Sequence, residues 1–233
     1  MKTAALVAAA GAGLRMNTTK RKQYIILEEK PVLARSLNLF VNHPAVIEII
    51  AVIPPGDTDV VIKLLKPFCP MERISLVEGG NTRQESVSRG LKVVSSNVEL
   101  VCIHDAARPL ASTRLLDRLI EAAHHCDAAV PVVALTDTIK EVSEDGYVML
   151  TPERERLRLV QTPQVFKRQL IIDAYEEAAR SKVIATDDAS LVESLGKQVM
   201  AVPGETVNLK ITSSLDLLIA SLLLKGAGKN CYV

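Results

Sequence analysis

Short runs of apolar, mostly β-branched residues alternate with helical patterns along almost the whole chain, and this alternation constrains the fold more than any other feature. Several runs are apolar nearly throughout, which is typical of strands that are covered on both faces. The predicted strands are Thr3–Ala8, Val46–Ile53, Ile74–Val77, Val98–Ile103, Ala128–Val133 and Gln198–Val202. The predicted helices are Val32–Val41, Thr58–Lys66, Gln84–Val93, Thr113–His124, Arg168–Ser181, Ala189–Leu195 and Ser213–Leu224. The alternation predicts an α/β protein with a doubly wound, mostly parallel sheet.

Composition narrows the class of protein further. The chain has 233 residues, of which 48% are apolar, so it can bury a core without metal or disulfide support and is not disordered. Its net charge of +1 gives no global field toward nucleic acid or a membrane surface. The four cysteines form no C-x-x-C pair, and no run reaches the length of a membrane-spanning helix. We expect a single cytoplasmic domain over residues 1–233 with reduced thiols.

One segment, at about residues 137–160, interrupts the strand–helix alternation. Asp145-Gly146 stands between two alternating runs, which is a strong signal for a β-hairpin. An inserted hairpin cannot bury both of its faces alone, so we expect this arm to pack on another subunit. The simpler interpretation is a surface excursion with no partner.

The first predicted strand runs into a glycine loop, Gly11-Ala12-Gly13, which is followed by Arg15 and Lys22. Small residues allow backbone N–H groups to approach a polyphosphate, and the two cations can neutralise its charge. The dinucleotide fingerprint requires a third glycine where Met16 stands, and a P-loop requires Gly-Lys-Ser/Thr, which is absent. The loop therefore predicts a phosphate site that is not a typical NAD site.

Two further motifs follow predicted strands. Gly79-Gly80-Asn81-Thr82 leads into a helix and can hold a base or ribose, although Asn81 or Thr82 can equally serve as a simple helix cap. His104-Asp105-Ala106-Ala107-Arg108 follows the run Val98–Ile103, at the edge of the sheet where ligands bind in open α/β folds. Asp105 can bind a hydroxyl or a hydrated Mg²⁺, and His104 is interpreted as structural.

The remaining polar motifs are DTIK at 137–140, Arg154, QTPQ at 161–164, TDDA at 186–189 and NLKIT at 208–212. Each has a capping, turn or surface interpretation when taken alone. Arg154, Arg156 and Arg158 alternate and fit a solvated strand edge. Lys210 is placed at the end of an apolar strand.

Taken in order, AAAGAGLRM, KQY, GGNTRQESV, HDAARP, DTIK, QTPQVF, TDDAS and NLKIT resemble the 2-C-methyl-D-erythritol 4-phosphate cytidylyltransferases of the non-mevalonate isoprenoid pathway. The resemblance runs from Ala8 to about Asp216. It implies transfer of CMP from CTP to methylerythritol 4-phosphate, with release of pyrophosphate and with Mg²⁺ held mainly through the CTP phosphates. It also implies a Rossmann-like domain whose β-hairpin arm builds a homodimer.

The resemblance also implies residue roles. Arg15, Lys22 and Lys210 would be catalytic, and no residue would be a direct metal ligand. The CTP site would be formed by Ala9, Ala10, Gly11, Gly80, Asn81, Ser86 and Asp105. The methylerythritol phosphate site would be formed by Arg108, Thr138, Arg154 and Thr186, with Thr138 and Arg154 reaching the partner subunit's site. Asn81 stands where many relatives have Asp; it keeps an acceptor and adds a donor.

Other functions stay open at the level of sequence. A cytidylyltransferase acting on a pentitol phosphate such as ribitol 5-phosphate would share the CTP half of the site. A nicotinamide dehydrogenase is disfavoured by Met16. A non-catalytic nucleotide-binding protein would use the same loops without turnover.

Overall fold

The computed structural model describes residues 1–11 and 21–226. Within these residues, eight strands form one sheet with the order β10-β7-β11-β6-β1-β4-β5, and β12 pairs with β7. The strands of this sheet are β1 (Thr3–Ala8), β4 (Val46–Ile53), β5 (Ile74–Glu78), β6 (Leu100–Asp105), β7 (Ala128–Ala134), β10 (Arg158–Val160), β11 (Gln164–Lys167) and β12 (Met200–Pro203). Two small antiparallel pairs lie outside it: β2 (Ile26–Leu27) with β3 (Lys30–Pro31), and β8 (Glu141–Val142) with β9 (Val148–Leu150).

Helices cover both faces of the sheet. The helices are α1 (Val32–Val41), α2 (Thr58–Leu65), α3 (Arg83–Leu91), α4 (Thr113–Cys126), α5 (Arg168–Ser181), α6 (Asp188–Ser194) and α7 (Ser214–Gly226). One buried apolar cluster packs α1, α2 and α4 against one face, and a second packs α3, α5 and α6 against the other. The predicted doubly wound α/β architecture is therefore confirmed.

The sheet is mostly parallel around β1, which lies between β4 and β6. The chain leaves β1 toward β4 and β5 on one side and returns to β6 on the other, so the strand order reverses at β1. In such sheets a crevice opens beyond the carboxyl ends of the strands at the point of reversal. Ala8 and Asp105 are paired there in register, which brings residues 9–11, where the first glycine loop begins, beside the end of β6.

Two strands of the main sheet are not visible in the local sequence pattern, because tertiary pairing creates them; the short pair β2 and β3 is not predicted either. β11 lies in QTPQVF and runs antiparallel between β6 and β7, and β10 runs antiparallel to β7. The predicted strand Val98–Ile103 is in fact Leu100–Asp105, so His104 and Asp105 belong to the strand. Lys210 is not at a strand end as predicted, since the chain around it has no regular secondary structure.

The predicted hairpin is confirmed, with β8 and β9 joined through Asp145 and Gly146. Gly146 has a φ of 86°, a left-handed conformation that glycine adopts without strain. The expected strand edge at Arg154–Arg158 is partly wrong: Arg154–Arg156 forms a single turn of 3₁₀ helix. The arm side chains Tyr147, Val148 and Met149 are all more than 60% exposed.

A third, smaller apolar cluster joins the β2–β3 hairpin to the C-terminal helix. Leu27 and Val32 pack there against Ile211 and Ala220. The chain segments that carry Lys22 and Lys210 lead directly into this cluster. No helix in the described ranges is long and apolar enough to cross a membrane.

Candidate active site

A cleft of about 400 Å³ opens at the carboxyl ends of β1 and β6. Residues 8–11, at the end of β1, form one wall, and residues 80–83 form the facing wall at the start of α3. Asp105, Ala106 and Ala107 form the floor. The remaining lining side chains are Lys22, Gln23, Ser86, Lys210 and Thr212.

The chain just after β1, at Ala10, lies close to the second glycine turn, at Gly79. A Cβ placed on Gly79 would lie 2.4 Å from the Cβ of Ala10, and one on Gly80 would lie 2.5 Å from the Cβ of Glu85. Side chains at 79 and 80 would therefore collide with the facing loop or with the helix that follows. Thr82 caps α3 by accepting a hydrogen bond from the Glu85 backbone, so the predicted cap and the predicted site are the same turn.

Ser86 holds this turn from inside the helix. Its hydroxyl accepts a hydrogen bond from the Gly80 backbone and donates to the Thr82 carbonyl at 2.8 Å. The second loop is thus ordered by side chains that also line the cleft.

Asp105 lies at the centre of the charge arrangement. Its two carboxylate oxygens accept from Arg83 Nε at 3.0 Å and from Lys210 Nζ at 2.6 Å. Burial of the carboxyl group would raise its pKa, but Arg83 and Lys210 hold the pKa well below its usual value. Asp105 therefore stays ionised in the folded protein.

Arg83 extends this arrangement into the protein interior. Its guanidinium donates to both carboxylate oxygens of the fully buried Asp188, at 2.9 and 2.7 Å. Tyr175 donates to the same carboxylate at 2.5 Å. Burial alone would lower the pKa of Arg83, but the carboxylates of Asp188 and Asp105 raise it above its usual value. One guanidinium thus links α3 and α6 to the end of β6.

Arg83 is not among the site residues predicted from the sequence. The residue stands inside the GGNTRQES motif, but its acidic partners are 22 and 105 residues away along the chain. No local pattern connects residues at such distances. An arginine in the first turn of a helix that follows a glycine turn was the one available signal.

His104 lies directly behind the cleft and is fully buried. Its Nε2–H donates to the Arg108 carbonyl, and its Nδ1 accepts from the Thr162 hydroxyl, which itself accepts from the Asp105 backbone. Burial lowers the pKa of His104 to about 4, so the ring is neutral near pH 7. The hydrogen-bond partners of its ring are one backbone carbonyl and one hydroxyl, in agreement with the structural role expected from the sequence.

Two predicted cations, Lys22 and Lys210, line the cleft. They lie on the chain segments that lead into the third apolar cluster. Lys22 Nζ donates to the Ile211 carbonyl at 3.2 Å, which places Lys22 beside the strand-free segment that carries Lys210. Arg15, the other predicted cation, lies outside the described residues. Two lysines on one side and backbone N–H groups on the other give the cleft the charge that a polyphosphate requires.

The structure brings all seven predicted CTP-site residues together. The cleft is lined by Ala9, Ala10, Gly11, Gly80, Asn81, Ser86 and Asp105, together with Lys22 and Lys210. Four predicted residues, Arg108, Thr138, Arg154 and Thr186, do not line it. Arg108 donates to the Asn208 carbonyl, and Arg154 donates to the Thr136 carbonyl at the base of the arm.

A metal site made of protein groups alone does not emerge in the described part of the chain: no three His, Cys, Asp or Glu side chains there are grouped to hold an ion. The one carboxylate that lines the cleft, among the described residues, is Asp105, whose oxygens already face two cations.

A glycine-lined, cationic cleft at the reversal point of a doubly wound sheet is typical of enzymes that act on nucleotide phosphates. Comparison with known proteins gives the particular family. Residues 3–226 match the family model "IspD: 2-C-methyl-D-erythritol 4-phosphate cytidylyltransferase". The chain belongs to this family and is a nucleotidyltransferase, which confirms the resemblance found in the sequence.

Individual relatives agree over nearly their full lengths. The chain is 42% identical to the 2-C-methyl-D-erythritol 4-phosphate cytidylyltransferase of Syntrophus aciditrophicus, with 96% of both chains covered. It is 40% identical to the enzyme of the same name from Desulforamulus reducens, over 98% of this chain and 97% of the relative. The crystal structure of 4-diphosphocytidyl-2C-methyl-D-erythritol synthase from Anaerococcus prevotii superposes with a TM-score of 0.85 at 34% identity, with 96% of both chains covered.

Proposed function

We propose that this protein transfers CMP from CTP to 2-C-methyl-D-erythritol 4-phosphate, giving 4-diphosphocytidyl-2-C-methyl-D-erythritol and pyrophosphate, in the synthesis of isoprenoid precursors. The observation that carries the proposal is the family match over residues 3–226, which includes every described residue that lines the cleft. The cleft volume of about 400 Å³ falls within the range of small-ligand sites.

CTP binds along the two loops. The backbone of Ala9, Ala10 and Gly11 faces the phosphates, and Gly80, Asn81 and Ser86 face cytosine and ribose. Asp105 organises Lys210 through an ion pair of 2.6 Å and keeps lone pairs to accept a ribose hydroxyl.

The reaction is an in-line displacement at the α-phosphorus of CTP. A bond forms between a 4-phosphate oxygen of the acceptor and the α-phosphorus, and the bond between the α-phosphorus and the bridging oxygen to the β-phosphate breaks. The electron pair leaves with pyrophosphate. The attacking phosphate is already anionic near pH 7, so the step needs no general base.

The barrier is electrostatic, because two anions must approach each other while charge builds on the leaving pyrophosphate. Lys22 and Lys210, which line the cleft, stabilise that charge. Arg15 shares this role as the family resemblance implies it. Such preorganised donors act mainly on the transition state.

Mg²⁺ fits this site as an ion held mainly through the CTP phosphates, because Asp105 is held by Arg83 and Lys210 and is poorly placed to be a sole protein ligand. When bound, the ion adds positive charge at the triphosphate. The lysines and the loop backbone keep the roles given above.

We further propose a homodimer in which the arm, residues 137–160, completes the acceptor site of the partner. Thr138 and Arg154 lie on or beside the exposed arm and outside the cleft of their own chain. Arg108 and Thr186 complete the acceptor side. A cytoplasmic location is supported by the free, buried thiols of Cys69 and Cys102, which suit a reducing compartment.

The decisive test measures pyrophosphate release from CTP and Mg²⁺ with methylerythritol 4-phosphate, with ribitol 5-phosphate or with no acceptor. We expect release with methylerythritol 4-phosphate alone. Release with ribitol 5-phosphate instead would keep the CTP site and overturn the assigned acceptor. CTP binding without pyrophosphate release in any of the three assays would indicate a nucleotide-binding protein that is not an enzyme.

A further inference from the structure

Gln23 lies beneath the first glycine loop and is 2% exposed. Its side-chain amide donates two hydrogen bonds to the loop: to the Ala9 carbonyl at 2.6 Å and to the Gly11 carbonyl at 3.0 Å. An amide NH₂ group has two hydrogens, so both are used on this loop. The family motif KQY contains Gln23, but none of the roles assigned above involves it.

These two bonds fix which way the loop presents its backbone. In a trans peptide the C=O and the following N–H point in opposite directions. The Ala9 carbonyl is turned toward Gln23, so the N–H of Ala10 in the same peptide is turned away from Gln23. Among the described residues no acceptor is paired with the Ala10 N–H, and Ala10 lines the cleft.

The rest of the loop is held from two other sides. The Ala9 N–H donates to the Val52 carbonyl at 2.8 Å and so continues the sheet for one more residue. Gly79 approaches Ala10 so closely that a Cβ at 79 would lie 2.4 Å from the Cβ of Ala10. Among the described residues, Gln23 is therefore the one side chain that fixes the orientation of the Ala9–Ala10 peptide. The sheet hydrogen bond of Ala9 and the close approach of Gly79 hold the same segment from two other sides.

We propose that Gln23 is a positioning residue that turns the Ala10 N–H toward the phosphates of the bound nucleotide. This inference rests on the proposed function only in taking CTP as the ligand. Gln23 acts through the backbone of the loop and does not touch substrate.

The chemistry of the side chain makes the proposal specific. Gln23→Glu keeps the shape but replaces two donors with acceptors, which would face two carbonyl oxygens. Gln23→Met keeps similar length and removes both donors. We expect Gln23→Glu to be the more damaging of the two, because it repels the loop carbonyls and also brings a negative charge near the phosphates.

The experiment measures binding of CTP with Mg²⁺, and of cytidine, by calorimetry without any acceptor. Hydrogen bonds to charged groups typically contribute enough that their loss weakens CTP binding about 10- to 100-fold in either variant. Cytidine, which has no phosphate, should bind within about threefold of wild type, because the side of the cleft proposed to face base and ribose is unchanged. A variant that is merely misfolded would lose both ligands.

Two controls isolate the loop. Gln84→Met is the matched substitution, because Gln84 also bridges backbone groups, the Val183 carbonyl and the Ala185 N–H, but outside the cleft. We expect it to leave CTP affinity unchanged. Lys22 precedes Gln23, so Gln23→Met is also combined with Lys22→Ala; a loss that arises because Gln23 acts on the loop should persist in the Lys22→Ala background.

Three results would overturn the proposal: unchanged CTP affinity in both variants, an equal loss of cytidine and CTP binding, or a loss that disappears in the Lys22→Ala background. Because no acceptor is present, failure of the proposed acceptor assignment leaves this test intact. Failure of wild-type protein to bind CTP would instead reject the nucleotide assignment itself.

Discussion

The cleft is held by buried carboxylates that pair with partly exposed cations, whereas the arm at residues 137–160 keeps most of its side chains exposed. Asp105 and Asp188 are both buried and both paired with Arg83. On the arm, Tyr147 is 75% exposed and Met149 is 65% exposed. The first region depends on contacts made within one chain, and the second has apolar surface that its own chain leaves uncovered.

This difference indicates which property a substitution in each region should change. Removing one member of a buried charge network leaves its partners unpaired, so damage in the cleft should also cost stability. Changes on the exposed arm should leave the isolated fold almost intact and act through association with a partner.

The largest effect is expected from Arg83→Met, which leaves the carboxylate of Asp188 buried without its guanidinium. We expect a loss of about 3 to 5 kcal/mol in the free energy of unfolding, measured by urea denaturation. The pKa of Asp105 is lowered in the folded protein, so its part of this stabilisation is complete above about pH 4 and is lost as the pH falls further.

Arg180→Met is the matched control for this change. Arg180 pairs with Glu177 on the exposed surface of α5, so its loss should cost less than about 1 kcal/mol. Equal losses in the two variants would contradict the role assigned to the Arg83 network.

Lys22→Ala should lower kcat about 10²- to 10³-fold, because a preorganised cation is lost where charge develops. Steady-state kinetics with saturating CTP and acceptor measure this effect. Lys63→Ala, on the exposed face of α2, removes the same charge elsewhere and should leave kcat unchanged. Near-normal turnover by Lys22→Ala would remove Lys22 from the mechanism.

The free energy of unfolding should fall in mild acid because His104 is buried in its neutral form. Its pKa is about 4 in the folded protein, below its ordinary value of 6.5, so between these two values the unfolded chain binds more protons. We expect wild type to lose about 3 kcal/mol more than His104→Gln between pH 7 and pH 4. The exposed His125→Gln serves as control and should follow wild type; parallel curves for all three proteins would argue against a neutral, buried His104.

The smallest effect is expected on the arm. It is a partial recovery of activity that distinguishes a site built from one chain from a site built from two. If Arg154 acts in the partner's site, mixed Arg154→Ala and Lys22→Ala subunits form dimers with one intact site. Random exchange then restores roughly a quarter of wild-type activity. A mixture of Lys22→Ala and Lys210→Ala serves as control, because both residues line the cleft of the same chain. No recovery after verified subunit exchange would place Arg154 in its own chain's site.

Much of this protein follows from local pattern. The bounds of β1, β4, α1 and α5 agree residue for residue with the sequence-based prediction. Their apolar periodicity and flanking turn residues are local properties, so the sequence alone reveals them. The Asp145-Gly146 hairpin was found in the same way, because the turn itself requires that dipeptide chemistry.

Other features were decided only when distant segments met. The local sequence of β11 predicts a loop, but the segment forms a strand because it pairs with both β6 and β7. The sequence identified Asp105 and Lys210 as separate candidates, yet their ion pair, and the Arg83 guanidinium that joins them to Asp188, exist only in the folded chain. Charge pairing and strand pairing act between groups that are close in space whatever their separation along the chain. The sequence therefore determined most of the elements and the family, and the tertiary structure decided the last strands of the sheet and which side chains hold the site together.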